Sequence, residues 1–489
     1  MQVTHHLLEK AIIYITLLRR GVLARISQGL LVFLLGLSSL ALAEDQPPNI
    51  IFFLTDDQRD DVLGCYGNEL AKTPTIDDLA SEGIRFENSF CQVPICAANR
   101  ATILSGLSQR THGHNFGKPP VPSEYIASSY PKVLKEAGYR IGFAGKYGMK
   151  FADPGLQQEF DFFKKIDRNP YIKKLKDGTR RHETDLCADA TIEFIQSNPE
   201  GKPFCMSVSF NATHAEDGDK RPGYHFQWPE SADGLFDDIT MPEPYQADEK
   251  FYQALPSFLQ NPKELNRQRF FWRWDTPKKY QTNMRAYFRL ANGIDQAIAR
   301  VIEALQAKGL SENTIIIYTG DNGLMMGDRG LAGKWNPYEQ SLRVPLIIYD
   351  PRLPEALRGQ VLPHLANSVD LAPTMVDYAG VNLPEVYQGR SLLPMIRGQR
   401  IAWREDIFCQ HHFKRFNDWH AVRDQRYKYA VYYDQPYEAL FDLQEDPGEL
   451  INLADNPHYA DILKQKKERL QDYLSRFPKA PEKKPKNKK

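Results

Sequence analysis

The sequence predicts an α/β protein: a large mixed, mainly parallel sheet sandwiched by helices, with a smaller C-terminal α+β domain. Three observations carry that reading. Short continuous apolar runs such as Ile50-Ile51-Phe52-Phe53-Leu54 recur along the chain and suit strands buried on both faces. Segments with helical spacing lie between them, the βαβ alternation of a parallel sheet. The chain has 489 residues, well beyond the ~250–300 at which a single core stops growing.

Residues 49–54 form the first strand and run into Thr55-Asp56-Asp57. Residues 75–83 read as a short helix stopped by Gly83. Residues 101–104 read as the start of a helix after a loop. A helix over 130–138 leads into a strand over 139–144, followed by Gly145-Lys146. Residues 186–196 have helical spacing, and 203–210 form a strand ending near Thr213-His214. A long amphipathic helix is expected over 287–309. Strands follow over 313–318, ending in Asp321-Asn322-Gly323, and over 344–349. Residues 216–282 are irregular and rich in Pro and aromatics, including Trp228, Phe270, Phe271, Trp272 and Trp274. A loop this long either shapes a substrate site or packs as a cover. After about residue 384 the βα rhythm fades. Segments 421–433 and 440–443 and a charged helix over 459–477 suggest the small domain. The expected organisation is a signal segment over 1–43, a main domain over 44–383, the small domain over 384–479, and a disordered basic tail over 480–489.

Hydrophobic residues make up 42% and charged residues 25%, globular values that exclude a mainly disordered chain. Lys+Arg and Asp+Glu are both 62, so the basic footprint of a dedicated nucleic-acid binder is missing. Arg19, Arg20 and Arg25 precede the apolar run 30–37, and Ala41-Leu42-Ala43 closes it, the pattern of a secretory signal peptide. A membrane anchor is the alternative, but the run is shorter than the ~20 residues a spanning helix needs. Export to the periplasm or the medium is therefore expected, with no membrane span in the mature chain. The 6 cysteines (Cys65, Cys91, Cys96, Cys187, Cys205 and Cys409) are too sparse for a disulfide-dense scaffold.

Polar residues gather where strands end. In such sheets ligands bind beyond the carboxyl ends of the strands, and Asp56/Asp57, Lys146, His214 and Asp321/Asn322 all fall there. Carboxylate and amide oxygens suit a hard cation such as Ca²⁺ or Mg²⁺; each pair alone is equally what a turn or cap uses. Cys96 precedes Arg100 by four residues at a loop-to-helix junction, where helix amides and a fixed charge favour an anion. A buried thiol beside an ordinary arginine and a plain thiolate nucleophile are the other readings. Lys146, His214, Lys334 and Arg343 sit beside glycines or apolar strands and would bind an oxyanion if they converge. His214, with an ordinary pKa near ~6.5, suits protonation of a leaving oxygen.

These residues resemble the type I, formylglycine-dependent sulfatases of the alkaline-phosphatase superfamily. The resemblance runs from about residue 49 to about residue 472. Its core is Cys96-x-Ala98-x-Arg100 followed by Thr102-Ile103-Leu104-Ser105-Gly106. Asp56-Asp57, Gly145-Lys146, His214, Asp321-Asn322-Gly323, Gly333-Lys334 to Tyr338-Glu339 and Arg343-Val344-Pro345 support it in order and spacing. The stretch from Leu440-Phe441-Asp442-Leu443 to Glu449-Leu450-Ile451-Asn452-Leu453 resembles the family's C-terminal domain.

The resemblance implies an alkaline-phosphatase-like fold, with the main domain as the sulfatase catalytic domain. It implies that Cys96 is oxidised during export by a formylglycine-generating enzyme. One hydroxyl of the hydrated aldehyde then attacks sulfur, and the other helps expel sulfate. Asp56, Asp57, Asp321 and Asn322, with residue 96, are implied ligands of one Ca²⁺. Arg100 is implied to fix the diol, Lys146 and Lys334 to bind sulfate, and His214 to protonate the leaving oxygen. The expected substrate is a sulfated polysaccharide or its oligosaccharides, with a small aryl sulfate as the alternative. Ala98 and Asn99 replace the family's frequent Pro and Ser. Gly148 stands where a histidine is usual, which leaves the base for sulfate release open; His112 or His114 is the candidate replacement. The competing functions are a phosphate ester hydrolase of the same superfamily and a catalytically degenerate sulfated-glycan-binding protein.

Overall fold

The computed structural model describes residues 46–219, 221, 225–413 and 417–480. The expected signal peptide and, apart from Ala480, the basic tail lie outside the described residues. Along the chain the strands are β1 (Asn49–Thr55), β2 (Ile84–Phe90), β3 (Arg140–Gly145), β4 (Phe162–Lys165), β5 (Ile172–Lys174), β6 (Arg180–His182), β7 (Phe204–Ser209) and β8 (Thr314–Gly320). They continue as β9 (Met325–Met326), β10 (Ala332–Gly333), β11 (Leu346–Tyr349), β12 (Gln360–Asn367), β13 (Asp406–His411), β14 (Trp419–Asp424), β15 (Tyr427–Tyr432) and β16 (Glu438–Asp442).

An 8-stranded sheet has the order β12-β2-β11-β8-β1-β7-β3-β4. β8, β1, β7, β3 and β4 run parallel, with Ile51 opposite Met206 and Ile316. β11 is antiparallel to both β8 and β2, which makes the sheet mixed. Every residue of β1 is buried, and its side chains alternate between two cores. Ile51 and Phe53 pack with Phe194 of the Glu183–Gln196 helix and with Leu290 and Ile294 of the Pro277–Ala307 helix. Ile50, Phe52 and Leu54 pack on the opposite face with Ile103 of the Cys96–Ser105 helix, Leu134 of the Tyr130–Glu136 helix, and Met375. A continuous apolar run is what a strand covered on both faces needs.

β13-β14-β15-β16 form an antiparallel sheet covered on one face by the Ala460–Arg476 helix through Phe408, Tyr429, Leu470 and Tyr473. Its other face packs Ile407, Trp419 and Tyr432 against Phe90, Leu342 and Val344. The segment 421–433 falls into β14 and β15, with Arg426 bonded back to Asp442 of β16.

Two helix starts differ from the sequence reading by five residues or more. The Cys96–Ser105 helix opens at Cys96, five residues before the expected start, and its N-cap Ile95 offers no side-chain cap. The 31-residue helix opens at Pro277, where the Thr276 side chain accepts from the Lys279 N–H and proline takes the first turn. Its first turns carry Lys278, Lys279 and Gln281, so apolar spacing alone places the start too late. The irregular span 216–282 holds short helices over Glu249–Gln253 and Leu265–Arg273. Among the described residues no helix is long and apolar enough to cross a membrane.

Candidate functional site

Four adjacent parallel strands deliver the site residues at their carboxyl ends. Thr55 of β1 lies opposite Gly320 of β8, so Asp56-Asp57 and Asp321-Asn322 leave the sheet side by side. Gly145 of β3 lies opposite Ser209 of β7, which brings Lys146 next to the segment carrying His214. Backbone bonds lock these exits: Asp321 N–H donates to Thr55 O at 2.9 Å, and Asp56 N–H to Ala212 O at 3.0 Å. Asp57 has φ of 60°, a left-handed turn that aspartate tolerates. It directs the Asp57 carboxylate to Asn322, whose Nδ2 donates to it at 2.7 Å.

Cys96 enters from the first residue of its helix and is 6% exposed. Two bonds tie that helix to the strand ends: Asn99 Nδ2 donates to Asp321 O at 2.6 Å, and Arg100 Nε to Asp321 Oδ2 at 2.7 Å. Arg100 Nη1 also donates to Lys146 O at 2.9 Å and to Ser209 Oγ. Lys146 Nζ pairs with Asp56 Oδ2, and Lys334 Nζ with Asp57 Oδ1 and, at 3.1 Å, Asn322 Oδ1. His214 Nε2 lies 3.5 Å from Asp57 Oδ2, and Arg168 reaches His214 Nδ1. The sequence-predicted set (Asp56, Asp57, Cys96, Arg100, Lys146, His214, Asp321, Asn322 and Lys334) therefore meets in one place.

The charges act on one another strongly. Burial pushes the Asp56 carboxyl up, but Lys146, His214, Lys334 and Arg100 outweigh it and hold the group well below the usual carboxylate range. Asp57 is also lowered against its burial, by His214 and Lys334. Asp321 goes the other way, to about 6, through burial and the nearby Asp56. Lys334 resists the downward push of burial and is raised by Asp57. Burial and Arg168 push His214 down to about 3, so its imidazole is neutral at ordinary pH.

The oxygen-rich donor set fits a hard cation. Asp56 Oδ1 is buried without a hydrogen-bond partner, an expensive state for a carboxylate oxygen unless a cation meets it. Asp56, Cys96 and Asp321 each offer a ligand atom within 4.8 Å of the others, and Asp56, Asp57 and His214 form an overlapping group.

A cavity of about 900 Å³ opens over Cys96, Lys146, His214 and Lys334. Arg168, Asp217, Arg269, Trp335 and Phe116 also line it, and sequence reasoning missed all five as site residues. Arg168 lies in a polar loop with no motif to mark it. The insertion contributes Leu265 and Arg269 to the wall. Its aromatics have other tasks: Trp274 packs in the core, Trp228 lies under Arg289, and Phe270 and Phe271 flank Arg267.

Gly148 lines the cavity with φ of +67°, and a Cβ there would sit 3.4 Å from Arg100 Cδ and Lys146 Cε. The left-handed backbone, more than space, favours glycine. The proposed substitutes are elsewhere. His112 Nε2 meets Thr102 Oγ1 at 3.0 Å, His114 Nδ1 meets Pro119 O at 2.6 Å, and neither lines the cavity. Arg343 is also outside it, paired with Glu339.

Comparison with known proteins agrees with this geometry. The sulfatase family model matches residues 48–381, and the model for the C-terminal region of N-sulphoglucosamine sulphohydrolase matches 327–476. The chain is 29% identical over 474 residues to an arylsulfatase of Clostridium perfringens, covering 88% of this chain and 93% of that protein. It is 28% identical over 529 residues to an N-acetylglucosamine-6-O-sulfatase of Bacteroides thetaiotaomicron, covering 90% and 89%. A solved structure described as in complex with its substrate D-glucosamine-2-N,6-O-disulfate superposes with a TM-score of 0.72 at 25% identity, covering 88% of this chain and 98% of that one. The family match takes in every site residue from Asp56 to Lys334 and well over half of the sequence: the chain belongs to the sulfatase family.

Proposed function

We propose that this protein is an exported, Ca²⁺-dependent sulfatase that hydrolyses sulfate esters on a carbohydrate, either a sulfated polysaccharide or its oligosaccharides. The observation that carries the reading is Cys96 opening a buried helix beside Asp56 and Asp321, with Lys146 and Lys334 in the same cavity. A sulfate ester is an anion that repels nucleophiles, so a site that cleaves it must first neutralise it.

Asp56, Asp57, Asp321 and Asn322 would hold Ca²⁺, which supplies positive charge to the sulfate oxygens. Oxidised to formylglycine by a generating enzyme during export, position 96 supplies a hydrated aldehyde as the nucleophile. The remaining roles belong to the chain's own groups. Lys146 and Lys334 hold the sulfate between them. Arg100, fixed by Asp321 and Ser209, orients the side chain at position 96. His214, neutral before substrate binds, would take up a proton beside the sulfate's negative charge and give it to the leaving sugar oxygen from its Nε2 edge, which faces the carboxylate cluster. The arylsulfatase and N-acetylglucosamine-6-O-sulfatase relatives support the reaction class, and the second of them supports a sugar as the substrate.

The test is expression with a formylglycine-generating enzyme, mass analysis of the tryptic peptide spanning Cys96, and turnover of defined sulfated oligosaccharides. The expected result is an aldehyde at position 96 and sulfate release. Faster turnover of the phosphate ester than the sulfate ester of one alcohol would make it a phosphate ester hydrolase. A retained thiol with binding and no turnover would make it a glycan-binding protein.

A further inference from the structure

The cations around the cavity are nearly all matched with carboxylates. Lys146 pairs with Asp56, Lys334 with Asp57, Arg100 with Asp321, and Arg269 and Arg273 share Asp217. Arg168 is different. Its Nε donates to Asn169 Oδ1 at 3.1 Å and its Nη1 meets His214 Nδ1. Among the described residues it forms no ion pair, and its Nη2 has no protein hydrogen bond. A guanidinium stays charged at any working pH. Partly withdrawn from water, with no carboxylate in contact and only the longer-range pull of groups such as Asp56 and Asp217, it is ready to receive an anion.

Position says which anion. The sulfate under attack belongs with position 96, Lys146 and Lys334. Arg168 sits behind His214, whose role is at the leaving oxygen, and so faces the sugar side of the scissile bond. The same cavity is lined by Phe116, 53% exposed and stacked on Phe413 with ring centres 6.1 Å apart and planes at 15°. A flat apolar surface of that kind suits the face of a sugar ring.

We infer that Arg168 is a specificity-determining residue that binds a second anionic group, sulfate or carboxylate, on the sugar bearing the scissile ester or on its neighbour. The inference rests on the carbohydrate-sulfatase reading above and narrows it to doubly anionic substrates. The planar fork of arginine pairs with either anion through two parallel N–H donors.

The test uses binding, so that it stands apart from turnover. Full-length Cys96→Ala protein with calcium is titrated calorimetrically with three probes: glucosamine bearing one sulfate, glucosamine bearing two, and a monosulfated disaccharide containing a uronic acid. At least one doubly anionic probe is expected to bind on the order of 10-fold tighter than the singly sulfated sugar. The two doubly anionic arms separate sulfate from carboxylate. Adding Arg168→Gln brings the ratio close to one, and any loss common to all probes through the His214 contact cancels in that ratio. Arg168→Lys, which keeps charge and loses the fork, retains only part of the preference and decides the matter if Arg168→Gln does not fold. Equal binding of all probes, or a preference that survives these substitutions, overturns the inference. Hydrolysis of the same probes by the aldehyde-bearing protein is scored separately. A preference without hydrolysis counts against the sulfatase reading and leaves the role of Arg168 standing.

Discussion

At the scale of single residues, the site is a balance of charges that none of its members could hold alone. Asp56 is fully buried, and an isolated carboxylate there would cost several kcal/mol. Lys146 shares one of its oxygens and leaves Oδ1 open. That open oxygen is the residue-level argument for a cation. Asp56→Asn keeps the shape and removes the charge. It is expected to weaken calcium binding and lower turnover by on the order of 10²-fold in aldehyde-bearing protein. Chelation should stop wild-type turnover and added calcium restore it; turnover unaffected by a strong chelator would remove the metal from the mechanism.

At the scale of elements, the Cys96–Ser105 helix is the part that places Cys96 at the candidate site. It is buried at every position and lacks a side-chain N-cap, so its placement comes from Arg100, Asn99 and its C-cap. Gly106 ends it with φ of +67°, donating to Thr102 O at 2.9 Å, and an added Cβ would lie 2.5 Å from the Tyr387 ring. Gly106→Ala combines a left-handed penalty with overpacking and should destabilise by about 1–3 kcal/mol. A urea unfolding midpoint equal to wild type would show that Tyr387 moves aside freely.

At the scale of the whole molecule, the C-terminal sheet is tied to the main sheet through a buried ionic cluster. Lys428 of β15 has no exposed side-chain surface; it bonds Glu339 at 3.0 Å and also meets Glu449. Arg343 and Arg423 each reach Glu339 at 3.2 Å. Lys428→Met strands the buried Glu449 carboxylate and takes one of three cations from Glu339, and should cost about 3–5 kcal/mol, read as a fall in the unfolding midpoint. Burial pushes the Glu339 carboxyl up, yet Arg423, Lys428 and Arg343 hold it far below its ordinary 4.5. His182 and His411, neutral through burial, are pushed from 6.5 to about 4. In all three the folded state binds fewer protons than the unfolded chain. Their stabilisation is therefore present above the ordinary values and lost on acidification. Thermal stability should fall between pH 6.5 and 4 as the two histidines are drawn to protonate, and further below 4.5 through Glu339. A midpoint flat across that range would contradict the assignment.

Sequence alone was enough for the parallel core strands, because a strand covered on both faces must be apolar throughout, as Asn49–Thr55 is. It was also enough to single out the residues that converge at the candidate site, because cation ligands and anion binders need particular side chains at strand ends, where Asp56, Lys146 and Asp321 stand. The helix start at Pro277 is read ten residues late although Thr276 and Pro277 carry local capping chemistry, whereas Cys96 opens a helix with no such mark, and only packing could show it. Arg168 and Trp335 come from loops and Arg269 from the short Leu265–Arg273 helix, all far apart in sequence. Their residue types are as common on plain surfaces as in sites, so only the fold, by bringing those segments to one cavity, made them neighbours of His214 and Lys334. The same limit applies to Gly148, His112 and His114. Backbone conformation and burial direction decide whether such a position faces the substrate, and neither is written in local sequence.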